Sequence, residues 1–397
     1  MGKKQFERKY KEECPVLAIC YDFDKTLSPD DMQAQGYIQS VGYDISDFWN
    51  ESNALAEMND MDQNLAYMYK MIQEAEGNLI FNRKTLNEYG SKVRLFPGVE
   101  DWFRRIREYG QQKNVIVEHY IISSGLKEMI EGTSVAQAGE FEKIYASSFY
   151  YNERGVAKWP AQVVNFTNKT QFLFRIEKGV LDINDQGVND YFPPEELRVP
   201  FRNMVYIGDS DTDIPCMKLV NSYGGHSIGV YNSVTHDKTK VYKMIRDNRI
   251  KYFAAADYCE NSELDRLVKA IIDRTAANEA LQSVYYYNNK ESIEADKEKN
   301  EESKRKTDLI ISLENSGNFA NTHTIIRDLN RFKEWSDKEI EMLMDIAVKN
   351  SQVYCIINDM DVSSFYRGLL KNIETIDGNA KKIQEQLEKR NLHTALE

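Results

Sequence analysis

Val16-Leu17-Ala18-Ile19-Cys20-Tyr21-Asp22-Phe23-Asp24-Lys25-Thr26-Leu27 is the stretch whose reading decides the fold. Six apolar residues run together without helical period and stop at charge, which predicts a buried strand of a parallel sheet. Two carboxylates follow at the strand's carboxyl end, where open α/β sheets bind their ligands. Strand alternation puts positions 22 and 24 on one side of the chain and Phe23 on the other. Two acids on one side can split the chemistry between them, one holding a metal and attacking while the other moves a proton. Acids after a strand also occur in plain solvated turns, so the rest of the chain has to decide.

Working outward, residues 29–94 lose the strand-helix rhythm. Ile45, Phe48 and Trp49, then Leu65, Met68, Tyr69 and Ile72, recur at helical spacing, which predicts an inserted helical cap. The rhythm resumes with a helix from about Val99 to Tyr109. A second buried strand, Val115 to Ile122, then ends in Ser123-Ser124-Gly125. An aromatic stretch from Phe141 to Val164 reads as a hairpin turning near Asn152-Glu153-Arg154-Gly155. Asn168-Lys169-Thr170 opens a helix that Gly179 closes, and Asn184 to Pro200 reads as a polar loop. A third strand, Met204 to Ile207, leads into Gly208-Asp209-Ser210-Asp211-Thr212-Asp213. A short strand, Ser227 to Val230, and a helix near Glu263 to Arg274 complete the unit.

Residues 281–308 are charged and polar and read as a solvated helix or linker. The expected division is a catalytic core of 1–28 and 95–280, the cap of 29–94, that linker, and a helical domain of 309–397. In the last, Ser336-Asp337-Lys338-Glu339 has capping-box spacing ahead of Ile340, Leu343, Met344 and Ala347. No proline follows Pro215, and no internal repeat is visible.

The chain has 397 residues and a formal net charge of −12. Such acidity, without a long basic stripe, argues against general binding of nucleic acid or of anionic membrane. The five cysteines (Cys14, Cys20, Cys216, Cys259, Cys355) show no paired spacing, which fits a reducing, cytoplasmic setting and no zinc site. Met1 to Glu13 is too charged for a signal peptide. Phe6 stands where a myristoylation pattern after Gly2 needs Ser or Thr. No apolar run approaches membrane-spanning length.

Four signals thus occur in order: Asp22 with Asp24, Ser123, Lys169, and Asp209 with Asp213. In this the sequence resembles the haloacid dehalogenase (HAD) superfamily, specifically its phosphoserine-phosphatase-like branch, from about Val16 to Arg274. The resemblance implies a HAD-like Rossmannoid α/β fold: a parallel sheet with the inserted helical cap, beside the C-terminal helical region. It implies a phosphatase that hydrolyses a small phosphorylated metabolite through an aspartyl phosphate. Asp22 would be the nucleophile and Asp24 the general acid and base. Mg²⁺ would be held by the Asp22 side chain, the Asp24 carbonyl and the Asp209 side chain, with Asp213 nearby through water. Ser123 and Lys169 would bind the phosphate. A phosphotransferase or phosphomutase of the same superfamily is the enzymatic alternative. An interaction protein working through its helical tail is the non-enzymatic one.

Several positions keep rivals. Ser124 competes with Ser123, and Lys158 and Lys178 compete with Lys169. Asp209 to Asp213 begins like a calcium loop of the EF-hand kind, but Ile214 and Val220 stand where that loop needs Gly and Glu. His119, His226 and His236 show no ligand spacing and read as ordinary histidines. Between Ser28 and Asn82 the only basic residue is Lys70, against acids that include Asp44, Asp47, Glu51, Glu57, Asp60 and Asp62. With Tyr37, Trp49, Tyr67 and Tyr69 they suggest a surface for an amine-bearing leaving group, or merely the cap's wet face. The tail helices are expected to pack against the catalytic unit or to carry self-association.

Overall fold

The computed structural model describes residues 6–297, 301–373 and 375–393. The myristoylation reading that rests on Gly2 lies outside that range, as do residues 298–300 of the charged segment. The chain divides into two compact units, Met1–Val284 and Tyr285–Glu397.

The first unit is built on seven strands: β1 Val16–Tyr21, β2 Ile116–Leu126, β3 Lys143–Tyr151, β4 Ala157–Gln162, β5 Met204–Gly208, β6 His226–Tyr231 and β7 Tyr252–Ala255. Their order is β4-β3-β2-β1-β5-β6-β7. All neighbours run parallel except β3 and β4, which are antiparallel. The aromatic hairpin is therefore an addition to one edge of a parallel sheet. Pro160 and Lys158 sit on that edge strand, and β7, four residues long, forms the other edge.

β1 is central, with every residue buried. Its side chains alternate between two apolar layers. Leu17, Ile19 and Tyr21 join Trp102, Phe103 and Val268, while Val16, Ala18 and Cys20 join Phe172, Met217 and Val220. A strand covered on both faces needs apolar residues at every position, and this is why the run has no period.

Counting helices longer than one turn, α1 Ile45–Met58, α2 Gln63–Ala75 and α3 Arg83–Gly90 lie between β1 and β2. α4 Val99–Gln112, α5 Lys127–Gly132, α6 Thr170–Lys178, α7 Ile214–Ser222, α8 Thr239–Arg246 and α9 Glu263–Lys297 follow. α3 is fastened to α5 by two glycines. A Cβ on Gly90 would stand 1.9 Å from Met129 O, and one on Gly132 would stand 2.1 Å from Asn87 O. Before α3, Phe81 O accepts from Ala157 N at 2.8 Å.

β7 and α8 are not visible in the sequence pattern. β7 is short and its residues are mostly half-buried, so no apolar run marks it. α9 outruns its expected end near Arg274 by 23 residues, because its polar second half needs no apolar face to stay helical.

The second unit holds α10 Glu301–Glu314, α11 Phe319–Leu329, α12 Asp337–Lys349, α13 Ser351–Cys355, α14 Met360–Leu370 and α15 Gly378–His393. Ile326, Leu343, Ile357, Tyr366 and Ile383 centre its own core. The Ser336–Glu339 capping box is formed, with Glu339 Oε2 accepting from Ser336 N at 2.8 Å. The helical region starts before residue 309. Lys306 is buried against Phe332 and Trp335, and its ammonium reaches Glu334 O. A long aliphatic stem lets a charged residue take part in such a core.

Candidate active site

β1 and β5 are neighbours, and Asp22 N extends their ladder to Ile207 O at 2.9 Å. The chain leaves β1 toward β2 on one side and, after β4, crosses back to enter β5 on the other. The acids that end both strands therefore meet over the crevice between them. Asp22, Asp209 and Asp213 each place a carboxylate oxygen within 4.8 Å of the others.

Lys169 enters from the turn before α6 and is fully buried. Its Nζ lies 2.8 Å from Asp213 Oδ1 and 3.5 Å from Asp22 Oδ1. Lys158 is exposed on β4. Lys178 donates to Val188 O and Asp190 O. Of the three lysines the sequence left open, only Lys169 stands at the acids.

Asp213 is saturated. Oδ1 accepts from Lys169 and from Tyr206 Oη at 2.9 Å. Oδ2 accepts from Ser210 N at 3.0 Å and from Ser210 Oγ at 2.9 Å. A Cβ on Gly208 would stand 2.5 Å from Asp213 Oδ2, so only glycine lets this carboxylate settle here.

The electrostatics follow from crowding. Burial, then the charge of Asp213, pushes Asp22 up to about 6 against the pull of Lys169. Asp209 is pushed up to about 7 by burial and by Asp213 and Asp22, with Lys240 3.7 Å away easing it. Burial favours a neutral Lys169, but Asp213 and Asp22 outweigh it and raise its pKa. Three acids with Lys169 among them and the half-exposed Lys240 at their edge leave excess negative charge. Hard carboxylate oxygens suit a divalent ion of the Mg²⁺ kind. Asp22 and Asp209 would hold it, with the saturated Asp213 acting behind them.

Asp24 is not part of that trio. Met32 N donates to its Oδ1 at 2.8 Å. Burial, then the charges of Asp31 and Asp22, raises its pKa. Ser123, at the same level on β2, accepts from Gly125 N at 3.1 Å, and its hydroxyl helps hold Asp22 ionised. Ser124 presents its carbonyl to the cap instead, accepting from Tyr67 Oη at 2.9 Å.

Three of the cap's acids have partners within the fold. Asp44 caps α1. Asp62 caps α2 and accepts from Asn165 Nδ2 at 3.1 Å. Glu51 pairs with Lys70 at 2.7 Å, and Asp47, Glu57 and Asp60 are exposed. Tyr37 belongs to the core, its hydroxyl on Met71 O.

Tyr206 and Ser210 were missed because a tyrosine inside an apolar strand reads as packing. Its signal is the partner that a buried phenol requires. His119 is structural. Trp102 Nε1 donates to Tyr21 Oη at 2.8 Å, and Tyr21 Oη lies 3.0 Å from His119 Nδ1. His119 Nε2 lies 3.2 Å from Phe103 O. Since the carbonyl can only accept, Nε2 carries the proton and Tyr21 donates to Nδ1.

The family model of the haloacid dehalogenase-like hydrolases matches residues 19–218. An uncharacterised protein of Borreliella burgdorferi is 27% identical over 274 residues, covering 63% of this chain and 94% of its own. A HAD family hydrolase of Salmonella enterica serovar Typhi aligns with TM-score 0.43 at 16% identity, over 66% of this chain and 74% of its own. A substrate-bound phosphoserine phosphatase aligns with TM-score 0.40 at 13% identity, over 65% and 99%. Among the described residues no helix is long and apolar enough to cross a membrane. With half its length matched by the family model, and with acids, serine and lysine gathered at the strand ends, the chain belongs to the haloacid dehalogenase-like hydrolases.

Proposed function

We propose that this hydrolase is a Mg²⁺-dependent phosphomonoesterase working through an aspartyl phosphate, with Asp22 as nucleophile and Asp24 as general acid and base. The observation that carries the reading is the buried Asp22 carboxylate, 3.5 Å from the Lys169 ammonium and two residues before a second buried acid whose pKa burial raises.

Asp22 attacks phosphorus, and the bond from phosphorus to the alcohol oxygen breaks. Asp24 delivers its proton to that oxygen, so a neutral alcohol leaves. Now ionised, Asp24 takes a proton from water, whose oxygen displaces Asp22 from phosphorus. Inorganic phosphate departs and both carboxyl groups return to their starting states. Lys169 stays charged throughout and offsets the phosphoryl charge, and Ser123 donates to a phosphoryl oxygen. Magnesium, held by Asp22 and Asp209, would supply the charge that lets a phosphate dianion approach an anionic nucleophile.

The test is phosphate release from a panel of phosphomonoesters with Mg²⁺, run beside Asp22→Asn and Asp24→Asn. Turnover by the wild type, lost in both variants, is expected. Turnover that survives Asp22→Asn ends the reading. Free phosphate, rather than phosphate moved to a second alcohol, separates hydrolysis from transfer. A beryllium fluoride adduct on any group other than Asp22 also refutes the mechanism.

A further inference from the structure

Asp22 and Asp24 are held by different means. Asp22 extends the sheet, its N–H on Ile207 O at 2.9 Å. Asp24 lies beyond the ladder, in a turn where Phe23 O accepts from Thr26 N, Leu27 N and Ser28 N at 3.3, 2.9 and 3.1 Å. Inside that turn Lys25 is left-handed, with φ +57°. A residue with a Cβ is strained there, and such strain persists only where the surroundings hold the chain.

The turn is gripped from outside. On the cap side, Met32 N donates to Asp24 Oδ1 at 2.8 Å. On the core side, Tyr258 Oη donates to Thr26 O at 2.8 Å. Tyr258 is fully buried, just past the end of β7. Trp102 packs edge-on against its ring, centroids 5.2 Å apart. Arg105, paired with Asp265 at 2.8 Å, donates to its carbonyl.

The same residue fastens the base of the cap. Leu27 O accepts from Phe96 N at 2.8 Å, which joins the chain entering the cap to the chain leaving it. Pro97 O accepts from Tyr258 N at 2.9 Å. Gly98, at φ +80°, permits this approach: a Cβ there would stand 2.5 Å from Tyr258 C and 2.4 Å from Cys259 N.

We infer that Tyr258 is a positioning residue for proton transfer, its hydroxyl fixing the turn that aims Asp24 at the departing oxygen. This rests on the phosphatase reading above. Asp22 and Asp209 sit directly on the ends of β1 and β5, so losing the hydroxyl leaves them in place. Asp24 has no ladder to hold it, and its aim slackens once Thr26 O is left buried without its donor. Proton delivery matters in proportion to the basicity of the departing oxygen: an alkoxide needs the proton of Asp24, whereas p-nitrophenolate leaves nearly without it.

The experiment measures kcat/KM, which covers the steps through release of the alcohol. The full chain is assayed with Mg²⁺ on glycerol 2-phosphate, phenyl phosphate and p-nitrophenyl phosphate, in order of falling leaving-group basicity. In Tyr258→Phe the glycerol-to-nitrophenyl ratio is expected to fall about tenfold, and the phenyl-to-nitrophenyl ratio less steeply, with the nitrophenyl value nearly kept. Taken within one preparation, each ratio is independent of how much protein is folded. Tyr145→Phe is the control. It also deletes a buried phenol, one that donates to Leu181 O at 2.9 Å, outside the turn, and its ratios are expected to match the wild type. Unchanged ratios in Tyr258→Phe, or an equal fall in both variants, overturn the inference while leaving the phosphatase reading in place. Phosphate release from none of the three esters by the wild type overturns both.

Discussion

The Tyr206 hydroxyl donates to Asp213 Oδ1 at 2.9 Å, the same oxygen that holds Lys169. The same hydroxyl also lies 3.4 Å from Ile122 O, and its shorter bond links it to Lys169 through Asp213. Tyr206→Phe removes one hydrogen bond to a charged group and is expected to lower kcat/KM about tenfold. Lys169→Met lowers it much further, and adding Tyr206→Phe to that variant then costs little, because the path ends at the missing lysine. Full additivity in this double-mutant cycle would show that Tyr206 acts by another route.

Gly208→Ala tests the same carboxylate sterically. The new methyl would stand 2.5 Å from Asp213 Oδ2 and must push it off Ser210. Displacing a positioned group by about 1 Å costs about a hundredfold in rate. Activity is expected to fall by that order while circular dichroism stays that of the folded protein. Undiminished turnover would mean that the placing of Asp213 is unimportant.

Gly90→Ala tests the clamp between α3 and α5. A Cβ 1.9 Å from the Met129 carbonyl cannot be absorbed by a side-chain rotation. Overpacking of this kind costs about 1–3 kcal/mol, and the catalytic unit's melting temperature is expected to drop by several degrees. Calorimetry that shows no shift would place the two helices farther apart than described.

His119 makes stability depend on acidity. Burial first, then Arg107, lowers its pKa to about 3, against about 6.5 in the unfolded chain. The unfolded chain therefore binds the extra proton between those values. The stabilisation is complete above about pH 6.5 and is lost as pH falls toward 3, by about 1.4 kcal/mol per pH unit. His226, lowered to about 4 by burial and then by Lys251, adds in the same direction. The raised pKa values of Asp22 and Asp209 act in the opposite direction, so the readout is the difference between proteins: in denaturant titrations at pH 7, 5.5 and 4.5 the wild type is expected to lose stability relative to His119→Gln as pH falls. Equal slopes for the two proteins would exclude His119 as a contributor.

The residues legible in the sequence were those whose chemistry is tied to a strand end. Asp22 and Asp209 follow uninterrupted apolar runs, so both the strand and its ligand-bearing tip could be located. Lys169 was legible only as one of three candidates, because a lysine at a helix start says nothing about whether it turns inward. Tyr206 and Ser210 were hidden because their roles depend on a third residue, Asp213. The cap's acids were half-legible: composition counts charges, and only packing tells that Asp44, Asp62 and Glu51 are already engaged. β7 escaped because four mostly half-buried residues leave no periodic trace.

The sheet's two rims close it against growth. At one, Pro160 removes a backbone donor from the outermost strand and Phe81 O already takes Ala157 N; at the other, the strand is four residues long. Neither rim offers a flat, unoccupied row of peptide groups to a stray polypeptide. The native protein should thus resist fibril seeding even at high concentration, and ordered aggregation would have to begin from a partly unfolded chain.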